Sequence, residues 1–116
     1  MKTEIINAKI KSTMLGTEDH GILTGYLHVE GPGWGCGFGG YAFDQWSNAE
    51  NRRYGTGFGT EFIAQVLKVV GVDKWEALPG KYIRIETEGW GGRILRIGNI
   101  LEDKWFDPGI LAEEML

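Results

Sequence analysis

Residues 60–70, Thr-Glu-Phe-Ile-Ala-Gln-Val-Leu-Lys-Val-Val, form the one segment of this 116-residue chain in which apolar residues recur at helical spacing. Thr60 is placed to cap the N-terminus of the predicted helix, and Gly71 is placed to end it. One face of this helix is apolar and would pack on the rest of the chain. The residues of that face are Phe62, Ile63, Val66, Leu67, Val69 and Val70.

Outside this helix, apolar and polar residues alternate, which is the period of a half-buried β-strand. The predicted strands are residues 5–15, 22–29, a glycine-rich stretch to 43, 81–88 and 93–101. The side chains expected to point inward are Ile6, Ala8, Ile10, Leu23, Leu27, Val29, Ile83, Ile85, Leu95 and Ile97.

The segments between these strands have their own predicted forms. Residues 17–21 fit a hairpin turn, 44–53 a polar loop, 73–78 a helical turn and 111–116 a short amphipathic tail. The sequence therefore predicts a single α+β domain, residues 1–116. Its antiparallel sheet of about five strands would have the one main helix packed on it.

Composition and charge exclude several classes of protein. Twelve basic and sixteen acidic residues give a net charge of −4, and five of the acids follow residue 101, which argues against binding of a nucleic acid polymer. No apolar run is long enough to cross a membrane, and the N-terminal residues lack the apolar stretch of a signal peptide. One cysteine allows no internal disulfide. We therefore expect a cytoplasmic protein.

Glycines occupy every second position from Gly31 to Gly39, and the chain has nineteen glycines, more than twice the usual share of about 7%. In an extended strand this spacing puts all of them on one face, opposite Trp34, Cys36 and Phe38. A glycine face weakens a strand unless another backbone or a ligand approaches it closely. We consider both a packed neighbour and a bound ligand.

Residues 35–40, Gly-Cys-Gly-Phe-Gly-Gly, match the dinucleotide-binding string G-x-G-x-x-G. No helix follows the match, so we reject a Rossmann site. Residues 55–60, Gly-Thr-Gly-Phe-Gly-Thr, directly precede the helix, where free N–H groups favour an anion. Arg52 and Arg53 would add phosphate donors there. The alternative is a connecting loop with solvated arginines.

His20 and Cys36 are the only residues that suggest nucleophilic catalysis, and a structural cysteine is the preferred interpretation. Two histidines and one cysteine offer no metal-ligand spacing, so we expect neither a metal nor another cofactor. Aromatic residues are abundant, and several lie near arginine. Aromatic rings beside arginine, without a large positive charge, suit a small nucleotide better than a polymer.

Four segments resemble a family of small phage and prophage proteins, the first described type of Thoeris anti-defence protein. They are residues 18–24 (Glu-Asp-His-Gly-Ile-Leu-Thr), 33–44 (Gly-Trp-Gly-Cys-Gly-Phe-Gly-Gly-Tyr-Ala-Phe-Asp), 71–84 (Gly-Val-Asp-Lys-Trp-Glu-Ala-Leu-Pro-Gly-Lys-Tyr-Ile-Arg) and 97–108 (Ile-Gly-Asn-Ile-Leu-Glu-Asp-Lys-Trp-Phe-Asp-Pro). The resemblance implies a non-enzymatic protein that sequesters glycocyclic ADP-ribose made by bacterial TIR-domain immune proteins. It also implies cyclic oligonucleotides as a further ligand class and a homo-oligomer with pockets between protomers.

The resemblance does not assign ligand contacts, so candidate site residues are chosen by their chemistry. A cyclic ADP-ribose needs an aromatic face for adenine, cations for the pyrophosphate and polar groups for the ribose hydroxyls. The candidates are Trp90, Tyr41 and Phe38 for stacking, Arg93, Arg96, Arg52, Arg53 and Lys104 for phosphate, and Asn99 and His20 for hydroxyls. Two other functions stay open: a structural or protein-binding phage protein acting on a host partner, and a small enzyme using Cys36 and His20.

Overall fold

The computed structural model describes residues 2–89 and 92–116 and contains eight strands and two α-helices within them. In chain order these elements are β1 (Glu4–Glu18), β2 (Ile22–Gly31), β3 (Trp34–Ala42), β4 (Asp44–Ser47), β5 (Arg52–Gly55), α1 (Gly57–Val70), β6 (Tyr82–Thr87), β7 (Ile94–Asn99), β8 (Trp105–Phe106) and α2 (Pro108–Met115). The main sheet is antiparallel and has the strand order β3-β2-β1-β6-β7-β8, while β4 and β5 form a second sheet. The α+β prediction is confirmed, with six strands in the main sheet.

The alternating patterns place the predicted side chains in the core. On β1, Ala8 and Ile10 are buried while Lys9 between them is exposed, and on β6 Ile83 and Ile85 are fully buried. The turn between β1 and β2 has left-handed backbone angles at Asp19, His20 and Gly21, so the predicted hairpin forms there. A short 3-10 helix, Trp75–Ala77, lies within the predicted helical turn.

Helix α1 begins three residues earlier than its apolar pattern suggested. Thr56, with extended backbone angles, is the N-cap: its hydroxyl accepts a hydrogen bond from the N–H of Gly59 at 3.1 Å. The prediction of Thr60 as the cap is therefore wrong, because the glycines at the start of the helix obscured its first turn. Gly71 ends the helix as predicted, with φ at 88° and its N–H donating to the carbonyl of Leu67.

The core is centred on Phe62, which α1 presents to the main sheet. Its ring centroid lies 4.9 Å from that of Phe43, 5.0 Å from that of Phe106 on β8 and 5.9 Å from that of Phe38 on β3. All four rings are almost completely buried. Because the helix contacts rings from opposite ends of the strand order, it holds the two outer parts of the sheet near each other. The predicted packing of helix on sheet is confirmed.

Residues 44–53 are not simply a polar loop, because they form most of the β4–β5 hairpin. Arg53 on β5 donates from Nε and Nη2 to the two carboxylate oxygens of Asp44 on β4, at 3.0 and 2.8 Å. This bidentate pair holds the hairpin together and is only partly exposed. Hydrogen bonds from Arg53 lower the pKa of Asp44 below its ordinary value.

Strand β7 differs from its predicted register. The pairing of β6 with β7 shifts between Glu86 and Thr87, which leaves Leu95 half-buried and turns Ile94 into the core beside Ile97. The prediction of Leu95 as an inward residue is therefore wrong. After β8, the predicted tail is part of α2, whose N-cap is Asp107. No helix in the described part of the chain is long and apolar enough to cross a membrane.

Candidate functional site

The glycine row of β3 lies on the solvent-exposed face of the main sheet. Gly35 and Gly37 are exposed, and a Cβ on either would meet only an ordinary contact with a carbonyl of β2. Trp34, Cys36 and Phe38 point the other way, toward the core. The expectation of a neighbouring element packed on this glycine face does not hold at Gly35 and Gly37, but a Cβ at Gly39 would lie 2.7 Å from the carbonyl oxygen of Gly25 on β2. Gly35 and Gly37 therefore leave bare backbone open to solvent.

The C-terminal part of β3 forms one wall of a cleft of about 540 Å³, which we call the β3/α2 cleft. The other wall comes from the start of β7 and the N-terminus of α2. The residues that line it are Gly37, Phe38, Gly39, Gly40, Tyr41, Arg93, Ile94, Leu95, Asp107, Pro108 and Gly109. Its volume is in the range of small-ligand sites, about 300–1,000 Å³. Three of the ten predicted site residues, Phe38, Tyr41 and Arg93, meet here.

Aromatic rings and bare backbone make up the β3 wall of this cleft. Tyr41 is 37% exposed, and its ring is supported from the core by Phe58 and Phe62 at centroid distances of 5.7 and 5.8 Å. Phe38 is only 2% exposed, so it serves as an apolar base and not as a free stacking surface. Gly39 and Gly40 have φ of 109° and 86°, a conformation that other residues rarely adopt.

Two charged side chains line the cleft. The side chain of Arg93 is 77% exposed, and its Nε lies 3.5 Å from a carboxylate oxygen of Glu88, so most of the guanidinium faces solvent. Asp107 caps α2, and its Oδ1 accepts hydrogen bonds from the N–H groups of Gly109 and Ile110 at 2.9 and 3.2 Å. The wall opposite β3 thus offers a largely exposed cation and a carboxylate held by the helix N-terminus.

Arg96 belongs to a different cluster, built around Trp105 on the same face of the sheet as the glycine row. The guanidinium carbons of Arg96 and Arg84 lie 4.1 and 4.7 Å from the centroid of the Trp105 ring. Arg96 also donates from Nε to Glu86 at 2.5 Å. Hydrogen bonds from the Thr3 hydroxyl and from Arg96 lower the pKa of Glu86. Arg96 is therefore already paired, and it does not line the β3/α2 cleft.

The remaining predicted phosphate donors form ion pairs elsewhere. Arg52 contacts Glu50 at 2.9 Å, Arg53 is held by Asp44, and Lys104 lies 3.2 Å from Glu102. None of the three lines the β3/α2 cleft. In the predicted anion loop, Gly57 and Gly59 belong to the first turn of α1, and the Thr56 hydroxyl already caps it. The structure therefore does not support an anion site here, and the segment is not a connecting loop with solvated arginines either, since Arg52 and Arg53 are ion-paired and the glycines begin α1.

The two residues predicted for ribose hydroxyls are placed away from the cleft. Asn99 is buried: its amide donates to the carbonyl of Val69, and its Oδ1 accepts from the N–H groups of Leu101 and Glu102. This residue joins the end of α1 to the β7–β8 turn and has a structural role. The side chain of His20 is 94% exposed at the tip of the β1–β2 hairpin. Trp90, predicted to stack on adenine, lies outside the described residues.

Cys36 and His20 are not brought together. Cys36 pairs with Val29 on β2, seven residues from Ile22 at the β1–β2 turn, which corresponds to roughly 20 Å along a strand. Burial raises the pKa of the Cys36 thiol, which disfavours the reactive thiolate. The thiol lines a second cleft of about 460 Å³, beside Trp34 and Ile6. The structure therefore does not bring Cys36 and His20 into the hydrogen-bond contact expected of a catalytic pair.

Asp107 is the charged lining residue, among those the structure describes, that sequence reasoning missed. The signal was present in the pair Asp107-Pro108, because Asp is a favoured N-cap and Pro is favoured at the first helical position. Among the described residues, no group of three or more His, Cys, Asp or Glu side chains could hold a metal ion. The chain matches no protein-family model, no curated protein and no solved structure.

Proposed function

We propose that this protein is a phage-encoded anti-defence protein that binds and sequesters cyclic ADP-ribose-type signalling nucleotides in the host bacterial cytoplasm. The β3/α2 cleft is the observation that carries this proposal. It places the partly exposed ring of Tyr41 and the guanidinium of Arg93 on a site of about 540 Å³. An aromatic ring suits adenine, and a guanidinium suits a pyrophosphate. The resemblance of four segments to Thoeris anti-defence proteins names the ligand class.

Sequestration requires only that the ligand be held tightly and released intact. Transition-state groups are needed for turnover but add nothing to ground-state binding. A Cβ at Gly40 would meet nothing within 4 Å, so its bare backbone lets a ligand approach the strand closely, and Phe38 supplies an apolar base beside it. These features support binding of glycocyclic ADP-ribose. We also propose cyclic oligonucleotides as a second class of ligand, which the capture experiment described below can test in the same way.

We further propose that the protein is a homo-oligomer with ligand pockets between protomers. Within the described residues, β3 pairs only with β2, so its outer edge is open. Natural sheets protect such edges with charges, proline, short strands or bulges, yet the segment of residues 34–38, before the register shift at Gly39 and Gly40, carries no charged residue, no proline and no bulge. A second copy pairing along this edge would bring its chain next to the β3/α2 cleft, because β3 forms one wall of that cleft.

The test is capture of the nucleotide by the purified protein. Equilibrium dialysis with cyclic ADP-ribose and with its glycocyclic isomer should show retention in the nanomolar range. Mass spectrometry after heat denaturation should then recover the unmodified nucleotide. Failure to retain either isomer would refute the proposal. Recovery of an altered nucleotide would instead support an enzyme, and capture of a host protein without nucleotide would support the protein-binding alternative.

A further inference from the structure

Asp107 is the one carboxylate among the described residues that line the β3/α2 cleft. Its Oδ1 is held by the two N–H groups at the start of α2, while its Oδ2 accepts no hydrogen bond within residues 2–89 and 92–116. The side chain is thus fixed in position by the helix, and one oxygen stays available as a hydrogen-bond acceptor. Helix capping alone does not require a negative charge here, since Ser, Thr or Asn would also cap.

A fixed carboxylate discriminates between the parts of a nucleotide. It repels a phosphate group placed beside it and accepts a hydrogen bond from a hydroxyl. Arg93 lies on the same wall, where the chain enters β7, and its side chain is 77% exposed and contacts Glu88 at 3.5 Å. The cleft therefore carries one phosphate-attracting side chain, on the segment that enters β7, and one phosphate-repelling side chain, at the start of α2.

We infer that Asp107 determines the specificity and the orientation of the ligand, by accepting a hydrogen bond from a ribose hydroxyl while Arg93 holds the pyrophosphate. The inference rests on the proposed function and adds to it a choice among nucleotides. A ligand with a free ribose hydroxyl at this position binds. A ligand that lacks the hydroxyl leaves the carboxylate without a partner, and one that carries a phosphate there is rejected.

The experiment compares wild type with Asp107→Asn by calorimetry, since asparagine keeps the helix cap but removes the charge. The probes are cyclic ADP-ribose, its 2′-deoxy and 3′-deoxy analogues and its 2′-phosphorylated analogue. In wild type, one deoxy analogue and the phosphorylated analogue should each bind at least about tenfold more weakly than the parent. In Asp107→Asn, the phosphorylated analogue should gain affinity, and the deoxy discrimination should fall to about threefold or less.

Two outcomes separate this inference from the function on which it rests. If wild type binds none of the probes, the proposed function fails, and the role of Asp107 fails with it. If wild type binds cyclic ADP-ribose but Asp107→Asn keeps the wild-type ranking of the four probes, only the role of Asp107 is refuted. Equal melting temperatures of the two proteins show that α2 is intact, and Glu114→Gln, on the same helix but outside the cleft, serves as the control variant.

Discussion

The backbone of Gly59 lies directly against Phe43: a Cβ added at Gly59 would be 2.5 Å from the Cβ of Phe43 and 2.7 Å from its carbonyl oxygen. This contact locks the first turn of α1 to the segment that follows β3. Phe43 also accepts hydrogen bonds at that carbonyl from the N–H and the hydroxyl of Thr56. The glycine is therefore needed for close packing between the helix and the sheet.

Replacing Gly59 by alanine should destabilise the protein, because neither the helix nor Phe43 can move without breaking these contacts. The free energy of unfolding should fall by about 1–3 kcal/mol, the usual cost of overpacking. Chemical denaturation measures it. The matched control is Gly57→Ala in the same turn, where the nearest atom is the flexible end of Met115 at 3.2 Å. Equal destabilisation by the two variants would contradict this account.

The general fold could be predicted because local patterns determine it. Alternation places Ala8 and Ile10 in the core, and helical spacing identifies the face of α1 that carries Phe62. These patterns follow from the geometry of a single helix or strand, so they can be interpreted without knowing which distant residues come into contact. The start of α1 was misplaced because Gly57 and Gly59 disfavour a helix locally, while the close contact that requires glycine at position 59 is with Phe43, sixteen residues earlier in the chain.

The candidate site could be predicted only in part, because it depends on which distant residues meet. Tyr41 and Arg93 were identified by residue type, and the fold brings both to one cleft. Asn99 and Arg53 have equally suitable chemistry, but internal partners use their polar groups. Sequence alone does not show whether a polar side chain is free or already hydrogen-bonded within the protein, since the group that it bonds to lies elsewhere in the chain.

The ion pair of Asp44 and Arg53 should make the stability of the β4–β5 hairpin depend on pH. Hydrogen bonds from Arg53 lower the pKa of Asp44 in the folded state. The pair therefore contributes its full stabilisation when the pH is above the pKa of Asp44 in the unfolded chain, about 4. This contribution is lost as the pH falls through the lower pKa that Asp44 has in the folded protein. Asp44→Asn should melt at a lower temperature than wild type at pH 7, and the difference should shrink at pH 2–3.

The control for this prediction is Glu50→Gln, which removes the more exposed pair with Arg52. An exposed pair contributes little to stability, so this variant should melt close to wild type at pH 7. Thermal unfolding followed by circular dichroism at each pH gives the comparison. A deficit of Asp44→Asn that stays constant from pH 7 to pH 2 would show that the carboxylate charge is not responsible.

Lysines placed on the open edge of β3 should disrupt the proposed oligomer. The double variant Gly35→Lys with Gly37→Lys adds two positive charges to a strand that has none, and the available space accepts a side chain at both positions. Light scattering should then show a smaller species than wild type. The control is Glu30→Lys with His28→Lys, which adds lysines at the register partners on β2, one strand away from the edge. A wild-type monomer would refute the oligomer.

Arg93 should contribute to nucleotide binding through its charge. Arg93→Gln keeps much of the length of the side chain but removes the positive charge facing the pyrophosphate. Binding of cyclic ADP-ribose should weaken by about tenfold or more, the effect of losing one charge-assisted hydrogen bond. Raising the salt concentration should weaken the wild type more than the variant. Arg52→Gln, outside the cleft and paired with Glu50, should bind as wild type does.

Tyr41 should contribute to binding through its ring. Tyr41→Leu preserves apolar contact with Phe58 and Phe62 but removes the flat surface that adenine would cover. Base stacking contributes about 1–3 kcal/mol, so cyclic ADP-ribose should dissociate about 5- to 150-fold more readily from the variant. The matched control is Tyr82→Leu, since Tyr82 is 58% exposed on β6 and does not line the cleft. If both variants bound the nucleotide as tightly as wild type, the ligand would have to bind elsewhere than against the Tyr41 ring.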